Sequence, residues 1–427
     1  MERDLTTTDK VQELQRKLYL KAKSEPKFRF YALYDKIYRM DVLGKAWQKV
    51  RQNNGSAGVD GKSIEDIETT GVEVFLKEIQ EELRTETYNP QPAKRVYIPK
   101  PDGRKRPLSI PTIKDRVVQM ALKIVIEPIF ESGFEDNSYG YRPKRSAQQA
   151  VLEIRKYLNY GLNQCVDADL EDCFGSIPHQ ELLDMIAERI LDGKVMRLIK
   201  LFLKAGVMEG NQISKNDKGT PQGGVISPLL ANIYLDRIDK GWKPFTKYAR
   251  LIRYADDLVI LTEYTVWKAF RYLESITNRL KLKLSISKTK IINTDEESFD
   301  FLGYSFKRAI NLKRNKRVAY FWPSKKAEQK IKARIKQITS DKRTVKVGQV
   351  VNEANAAIRG WVNYFKIGNS TKKFGNIRWY VKNRIRKFMM GRKRERGYGC
   401  KEYPENYLYN KLGLYSGYNL GKAKALR

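Results

Sequence analysis

The sequence predicts a mixed α/β (α+β) protein in which a region built on antiparallel strands is followed by an all-helical region. Gln164–Leu170 alternates apolar and polar side chains, as a strand with one buried face does. Leu251–Tyr254 and Leu258–Thr262 are apolar segments with a short link, a pattern typical of a hairpin. From Ser324 onward, apolar residues recur instead at the spacing of one helix face.

The chain before residue 160 is expected to be mainly helical, with one early hairpin. Residues 8–50 have helical periodicity, interrupted by a turn-like break at residues 24–26. A glycine-rich loop, a second helical pattern and a basic strand–turn–strand follow. In chain order these are a loop over 53–61, a helix over 63–83, strands over 94–99 and 106–110, and helices over 113–131 and 146–160.

Later segments continue the mixed pattern and then become helical only. In chain order they are helices over 180–190 and 193–204, a loop over 219–224, helices over 228–235 and 265–281, and short strands near 283–292 and 299–306. Three apolar stripes between lysines and arginines predict the helices after residue 324. The change of composition over 307–324 predicts a domain boundary, and no structure is predicted after Gly391.

Composition excludes several classes of protein. The 427 residues suffice for two or three domains, and no apolar stretch is long enough to span a bilayer. The charged N-terminal segment does not resemble a secretory signal, and Cys165, Cys173 and Cys400 show no metal-binding spacing. We therefore expect a protein of the reducing cytosol, with no structural zinc and no membrane partner.

Basic charge is concentrated in the last third of the chain. The net charge is +34, yet residues 301–427 alone hold 33 basic and 6 acidic residues, a net of +27. Aromatic residues are interleaved with these charges. Clustering of this kind favours a surface for nucleic acid over a merely solvated basic face.

Three aspartates stand out by their placement. Asp169 lies on the polar face of an otherwise apolar strand, and Asp256 and Asp257 link two apolar strands. Carboxylates in such surroundings are costly unless cations neutralise them. Two Mg²⁺ ions would do so and would support phosphoryl transfer, whereas an ordinary acidic turn is the simpler alternative. With one histidine, His179, and no phosphate-binding glycine loop, other catalytic chemistries find little support.

Several segments resemble the motifs of reverse transcriptases of the group II intron type, and they occur in that family's order over roughly residues 40–390. The sequence RYADD resembles the YxDD hairpin, and VDADLEDCF resembles the first catalytic strand. GTPQGGVISPLLAN resembles the template-and-primer motif, FLGY the primer grip, and GWVNYF the thumb or maturase core. These segments are, in the same order, Arg253–Asp257, Val166–Phe174, Gly219–Asn232, Phe301–Tyr304 and Gly360–Phe365.

The resemblance implies a role for individual residues. Asp169 and Asp256 would be metal ligands, supported by Asp257, and Lys100 and Arg106 would meet the triphosphate of the incoming nucleotide. Lys288 resembles the lysine that faces pyrophosphate, and Gln222 would pack near the templating base pair. The residues implied in template and primer binding are Gly223, Gly224, Phe301, Leu302 and Gly303. For Lys100, Arg106 and Lys288, ordinary surface charge is the alternative.

Phe174 would select the sugar of the nucleotide. A bulky ring five residues after Asp169 would collide with a ribose 2′-hydroxyl, so deoxynucleotides would be preferred. The alternative is a core aromatic residue. Gly175, by contrast, departs from the family, which usually has an acidic residue there, and this departure puts the local geometry in doubt.

Further residues are implied in RNA binding. The loop with Gly55 and Gly58 resembles an N-terminal extension that lies over the template, although a flexible connector is equally compatible. Trp361 belongs to the thumb core motif and Arg359 directly precedes that motif, and both would contact RNA. No cysteine-rich segment follows the thumb, so we expect no endonuclease domain of the kind found in part of the family.

The resemblance implies a right-hand polymerase with four regions: an N-terminal helical extension (1–50), fingers and palm (51–310), a helical thumb or maturase domain (311–395), and a basic tail that is a candidate DNA-binding segment (396–427). It would be an RNA-directed DNA polymerase that uses deoxynucleoside triphosphates and two Mg²⁺ ions. It would also bind intron RNA, RNA template and DNA primer or target, in the bacterial cytosol or nucleoid. The alternatives are a domesticated enzyme of defence or repair, a splicing maturase without polymerase activity, and an RNA-templated RNA polymerase, which Phe174 disfavours.

Overall fold

The computed structural model describes residues 5–99, 103, 105–210, 212–214, 217–313, 315–340, 345–392 and 399–421. Its helices are α1 (Leu5–Ser24), α2 (Tyr34–Ile37), α3 (Met40–Asn53), α4 (Ile64–Thr70), α5 (Val72–Arg84), α6 (Ile113–Glu131), α7 (Ala147–Asn159), α8 (Cys173–Ser176), α9 (His179–Ala187), α10 (Gly193–Lys204), α11 (Ser227–Trp242), α12 (Val266–Arg279), α13 (Lys325–Thr339), α14 (Val347–Phe365) and α15 (Thr371–Arg392). Over these residues, no helix has a stretch that could cross a lipid bilayer.

The strands form three separate sheets. They are β1 (Ala93–Pro99), β2 (Lys105–Ile110), β3 (Gln164–Asp169), β4 (Val207–Glu209), β5 (Gln212–Ser214), β6 (Ala249–Tyr254), β7 (Asp257–Thr262), β8 (Lys290–Asn293), β9 (Phe299–Phe301), β10 (Tyr304–Asn311) and β11 (Lys316–Pro323). The predicted class, a mixed fold with antiparallel sheets followed by a helical region, is confirmed.

The N-terminal helices surround α6. Helices α1 and α3 pack against α6, which is buried along most of its length because its apolar residues face several elements at once. The predicted helix over 63–83 is divided at Gly71, whose φ of +111° ends α4. Ser63 begins α4 with a capping box, in which its hydroxyl accepts from the Asp66 amide and the Asp66 carboxylate accepts in return.

The first sheet has the order β2-β1-β4-β5. The predicted basic hairpin is confirmed, with β1 and β2 antiparallel. Strands β4 and β5 were not predicted, because a segment of three residues is too short to show alternation. Ala93 and Lys94 pair in parallel with Val207 and Met208, which attaches the hairpin to the rest of the protein.

The second sheet, β6-β7-β3-β8, carries the three aspartates and separates two hydrophobic cores. Val166 and Ala168 face the core that includes α6 and α11. Cys165, which points to the opposite face, packs with Val259 in the core shared with α7 and the C-terminal helices. The alternation predicted for this strand is therefore confirmed.

Between α12 and β8 the structure differs from the prediction. Only Lys290–Asn293 of the expected strand near 283–292 is extended. The preceding residues form a turn in which the amides of Lys288 and Thr289 donate to the Ser285 carbonyl, at 3.1 and 2.9 Å. These local hydrogen bonds compete with strand pairing.

The third sheet, β11-β10-β9, leads into the C-terminal helices. Strand β11 was not predicted, and the proposed boundary at residue 310 lies near the tip of the β10–β11 hairpin. Phe306 and Phe321 stack across this hairpin with ring centroids 5.8 Å apart. Helix α13 then begins after Ser324, whose hydroxyl accepts from the Ala327 amide.

Residues 399–421, called the C-terminal strap below, pack along the helices that precede them. Asn355 of α14 donates to the Gly413 carbonyl and accepts from the Tyr415 amide, both at 2.8 Å. Leu408 is fully buried and Leu414 nearly so. The sequence predicts no structure for this segment, because the segment has neither helical nor strand periodicity.

Candidate active site

Two of the three aspartates face each other across neighbouring strands. In the antiparallel pair β3–β7, Asp169 is directly opposite Asp257, so both side chains lie on the same face. Asp256 occupies the two-residue turn between β6 and β7, next to Ala255, whose φ is +57°. The three carboxylates that the sequence singled out therefore lie at one end of the sheet.

Burial and mutual repulsion raise the pKa values of Asp256 and Asp257 above the ordinary range of an aspartate. Burial raises the pKa of Asp257 to about 7, and the charges of Asp256 and Asp169 act in the same direction, although the side chain retains solvent contact. The pKa of Asp256 is also raised, first by burial and then by Asp169. Burial likewise raises the pKa of Asp167, two residues before Asp169 on the same face, to about 6.

Cations partly offset this repulsion. The Lys288 ammonium forms an ion pair with Asp169 Oδ2. Lys288 and Arg106 both lower the pKa of Asp256, so the basic hairpin acts on the carboxylates electrostatically. The Arg106 side chain is exposed. Lys100, the other residue implied in triphosphate binding, lies outside the described residues.

The residues fit a divalent cation that prefers oxygen ligands. Their donor set is entirely carboxylate, their pKa values show charge repulsion, and an ammonium already stands beside Asp169. The carboxylates do not form a closed metal cage, since no three His, Cys, Asp or Glu side chains converge as one among the described residues. An open site of this kind leaves ligand positions for water and phosphate oxygens.

Phe174 lies in the short helix α8, directly after the catalytic strand. Its side chain is half-buried and packs partly against the core. Its carbonyl accepts from the Thr220 amide at 2.7 Å, which joins α8 to the loop over 219–224. The Phe174 side chain therefore packs against the core on one side and is accessible to solvent on the other.

The departure at Gly175 has a physical explanation in this structure. A Cβ atom at Gly175 would collide with the Asp172 carboxylate. A Cβ atom at Gly219 would approach the Gly175 backbone to 2.8 Å. Two glycines thus bring α8 and the loop into direct backbone contact.

The loop over 219–224 is fixed against the first sheet. The Gln222 carbonyl accepts from the Ser109 amide at 2.6 Å. Gly223 has a φ of +115°, and a Cβ atom there would collide with the Ser109 carbonyl. Gly224 is buried, and the Gln222 side chain is half-buried.

The residues of the implied primer grip form a tight turn. Leu302 and Gly303, with φ of +49° and +80°, connect β9 to β10. Phe301 and Tyr304 are paired across the turn. The Tyr364 hydroxyl of α14 donates to the Leu302 carbonyl at 2.9 Å, so the turn is attached to the helical region.

The glycine loop near the N-terminus is packed rather than free. A Cβ atom at Gly58 would lie 2.6 Å from the Thr112 Cα, and one at Gly55 would lie 2.7 Å from Arg116 Nη1. The Arg116 guanidinium also donates to the Ser56 carbonyl. This anchoring disfavours the flexible-connector interpretation, and RNA contact by the loop remains a proposal.

Of the two thumb residues implied in RNA binding, one is exposed and one is partly buried against the core. Arg359 is exposed, with its guanidinium 5.8 Å from the ring centroid of Tyr415 in the C-terminal strap. Trp361 packs with Phe365 and Phe374 at centroid distances of 5.0 and 5.6 Å. This placement favours a packing role for Trp361 over contact with RNA.

Sequence reasoning missed Gly140, which lies against the catalytic turn. A Cβ atom at Gly140 would collide with the Ala255 amide nitrogen. The next residue, Tyr141, has a φ of +57° and an exposed side chain. Burial and the charge of Asp256 raise the pKa of Tyr141. A glycine followed by a residue with positive φ leaves no periodic signal in the sequence.

We expect the protein without divalent ions to lose stability as the pH rises from about 5 to 8. The pKa values of Asp257 and Asp167, about 7 and about 6, exceed the value of about 3.9 for an unfolded Asp. The folded state therefore holds protons that the unfolded state has released, and this stability is lost as the pH rises through 6 and 7. Thermal melts in EDTA at several pH values measure the effect.

Asp257→Asn should flatten this pH dependence and raise the melting temperature at pH 8, since the amide cannot ionise. The matched control is Asp136→Asn, because the Asp136 side chain is 96% exposed. The control should retain the wild-type slope. Equal slopes for wild type and Asp257→Asn would show that Asp257 is not a proton-holding group.

Comparisons with known families agree with this geometry. A family model described as reverse transcriptase (RNA-dependent DNA polymerase) matches residues 98–306. A second, described as group II intron, maturase-specific domain, matches residues 328–402. The first range includes the three aspartates, and the second includes most of the helical region.

Curated proteins are also similar to this chain. Protein YkfC of Escherichia coli (strain K12) is 32% identical over 361 residues, which are 74% of this chain and 93% of that protein. Group II intron-encoded protein LtrA of Lactococcus lactis subsp. cremoris is 42% identical over 213 residues, 49% of this chain and 35% of that protein. An uncharacterized 91 kDa protein in the cob intron of Schizosaccharomyces pombe is 27% identical over 423 residues, 81% of this chain and 52% of that protein.

The chain therefore spans nearly all of the Escherichia coli relative but 35% and 52% of the other two. Polymerases of the matched type bind nucleic acid and use divalent metal ions. Because both family models match this chain, the chain belongs to the group II intron reverse transcriptase/maturase family.

Proposed function

We propose that this protein copies RNA into DNA with two magnesium ions, and that it also binds the RNA of a group II intron and assists its splicing and mobility. One observation carries the polymerase proposal: Asp169 faces Asp257 across the strand pair, with Asp256 on the adjoining turn. Neighbouring carboxylates repel each other, and burial makes their ionisation unfavourable. Such an arrangement is expected where metal ions assist phosphoryl transfer.

Asp169 and Asp256 would hold the metal ions, with Asp257 in support. When bound, two Mg²⁺ ions would activate the attacking 3′-hydroxyl and stabilise the leaving pyrophosphate. The protein's own cations complete the charge balance. Arg106 would bind the triphosphate through its planar fork, and Lys288, already paired with Asp169, would face the pyrophosphate.

The surroundings of the aspartates would position the substrates. Phe174 would exclude a ribose 2′-hydroxyl by bulk. The loop of Gln222, Gly223 and Gly224, fixed by its hydrogen bond to Ser109, would support the templating base pair. The turn at Leu302–Gly303 would hold the primer end, because its attachment to Tyr364 fixes its position. Correct placement of reacting groups is a large part of catalysis in phosphoryl transfer.

The basic helical region would bind intron RNA. Residues 301–427 have a net charge of +27, far more than a short primer–template duplex requires. On α13, lysines such as Lys326 and Lys330 are exposed, whereas Ile331 and Ile335 of the same helix are buried. Contacts would be mainly to phosphates and RNA shape, with a strong dependence on salt. The proposed location is the bacterial cytosol or nucleoid.

Primer extension tests the polymerase proposal. The protein, an RNA template, a DNA primer and Mg²⁺ are incubated with deoxynucleotides or with ribonucleotides. We expect extension with deoxynucleotides only. No extension by the folded protein over several salts and templates would instead support the alternative, a splicing maturase that only binds RNA.

Intron RNA affinity, measured by filter binding over a KCl series, tests the second activity. Counterion release predicts a steep linear fall of log affinity with log salt. Weak binding that salt does not change, together with active DNA synthesis, would favour a domesticated reverse transcriptase. Intron RNA sequences flanking the gene distinguish the two cases independently.

A further inference from the structure

An ion pair is buried directly below the catalytic turn. Arg253, the first residue of the RYADD motif, is 1% exposed, and the Asp239 side chain is fully buried. Arg253 Nε donates to the two carboxylate oxygens of Asp239 at 3.0 and 2.9 Å, and Nη2 contacts the same carboxylate. None of the proposed substrate contacts involves this pair.

The same guanidinium reaches the turn that carries Asp256. Arg253 Nη1 donates to the Ala255 carbonyl at 3.1 Å and to Asn232 Oδ1 at 3.0 Å. Ala255 has a left-handed backbone, which an L-residue adopts only at a cost. Because the peptide after Ala255 leads to Asp256, the guanidinium helps to fix the position of the adjoining metal ligand.

The network continues around the turn. Asn232 Nδ2 donates to the Gly140 carbonyl at 2.8 Å, and Gly140 packs on the Ala255 amide. Asn137 Nδ2 donates to Asp239 Oδ1, also at 2.8 Å. The turn is therefore held on one side by Arg253 and on the other by Gly140.

Asn232 and Asp239 both lie on α11, which begins at Ser227, shortly after the loop over 219–224. Ser227, at the start of this helix, donates from Oγ to the Pro221 carbonyl at 2.8 Å. A single rigid helix thus connects the loop over 219–224 with the turn that carries Asp256.

We propose that Arg253, Asp239 and Asn232 are positioning residues, which set the catalytic turn in its metal-binding geometry. This inference rests on the proposed polymerase function. Apolar residues of similar volume often stabilise a protein as well as a buried ion pair does. Apolar side chains cannot replace the planar guanidinium group, whose N–H donates to the Ala255 carbonyl.

The double variant Arg253→Met with Asp239→Leu separates positioning from stability. It removes both buried charges together, so we expect a folded protein. We expect the kcat for primer extension to fall about 10- to 100-fold, as for other residues that orient metal ligands. The KM for deoxynucleotide should change much less. Affinity for Mn²⁺ alone, measured by electron paramagnetic resonance, should fall by a similar factor.

Leu83→Ala is the matched control for lost stability, since Leu83 is fully buried in α5, far along the chain from the turn. It should lower the melting temperature and leave Mn²⁺ affinity and kcat at wild-type values. Gly140→Ala is an independent test, because its Cβ atom would push the turn while the ion pair stays intact. It should reproduce the loss of Mn²⁺ affinity.

The two proposals fail differently. Asp256→Ala serves as the reference without a metal site. In the first outcome, the wild type binds Mn²⁺ more tightly than Asp256→Ala and extends primers. If the folded double variant and Gly140→Ala then equal the wild type in Mn²⁺ affinity and kcat, only the positioning role is overturned. If the wild type binds Mn²⁺ no better than Asp256→Ala and extends no primer, the proposed function fails, and this inference fails with it.

Discussion

Asp256→Ala is expected to abolish DNA synthesis and to leave affinity for intron RNA nearly unchanged. The carboxylate lies on the catalytic turn, beside Asp169 and Asp257, whereas the basic surface proposed for RNA lies in the C-terminal region. A loss of about 1000-fold or more corresponds to about 4 kcal/mol of transition-state stabilisation. Primer extension and filter binding of intron RNA, on the same preparation, measure the two activities separately.

Stability provides a control for this variant. Removing a carboxylate that burial and Asp169 hold at a raised pKa should not lower the melting temperature. Asp136→Ala removes an equal charge from an exposed position and should retain DNA synthesis. Loss of both synthesis and RNA affinity in a folded Asp256→Ala protein would contradict the division of the two activities between regions.

Phe174→Ala is expected to admit ribonucleotides. The aromatic ring follows the catalytic strand and is half-buried, so that its remaining face is available to the sugar. Discrimination against ribonucleotides should fall by about 100-fold, within the range that loss of a steric contact produces. The ratio of kcat/KM for a deoxynucleotide to that for the matching ribonucleotide measures it.

Phe174→Tyr retains the bulk of the ring and should retain selection of deoxynucleotides. Phe75→Ala is a second control, because Phe75 is also a partly buried aromatic residue packed against the same core, in α5. It should cost stability with no effect on sugar selection. Unchanged discrimination in folded Phe174→Ala would assign Phe174 to packing alone.

The sequence predicted local features of the site because local periodicity carries them. Alternation along Gln164–Leu170 placed Asp169 on the polar face, and the structure has it there. The pairing of Asp169 with Asp257 depends on strand register between distant segments, which periodicity does not encode. The resemblance to a known family, and not the alternation of residues along each strand, implied that Asp169, Asp256 and Asp257 share one site.

Features that depend on close backbone contact were not predictable. Gly175 reads as a departure from its family until its contact with Gly219 is visible. Asp239 reads as one more polar residue near the end of a helix, and its ion pair with Arg253 emerges only when α11 packs under the turn. Strand β11 was missed because it lies within 307–324, where the change of composition predicted a domain boundary.

The C-terminal strap returns to the end of the helix that holds the turn at Leu302–Gly303. The Gly421 amide donates to the Lys366 carbonyl at 2.9 Å, and Lys366 directly follows α14. The adjacent Phe365 lies against Gly303, 3.5 Å from the position a Cβ atom would take. The strap, the end of α14 and the turn at Leu302–Gly303 therefore meet at one corner of the protein, where each holds the next in place.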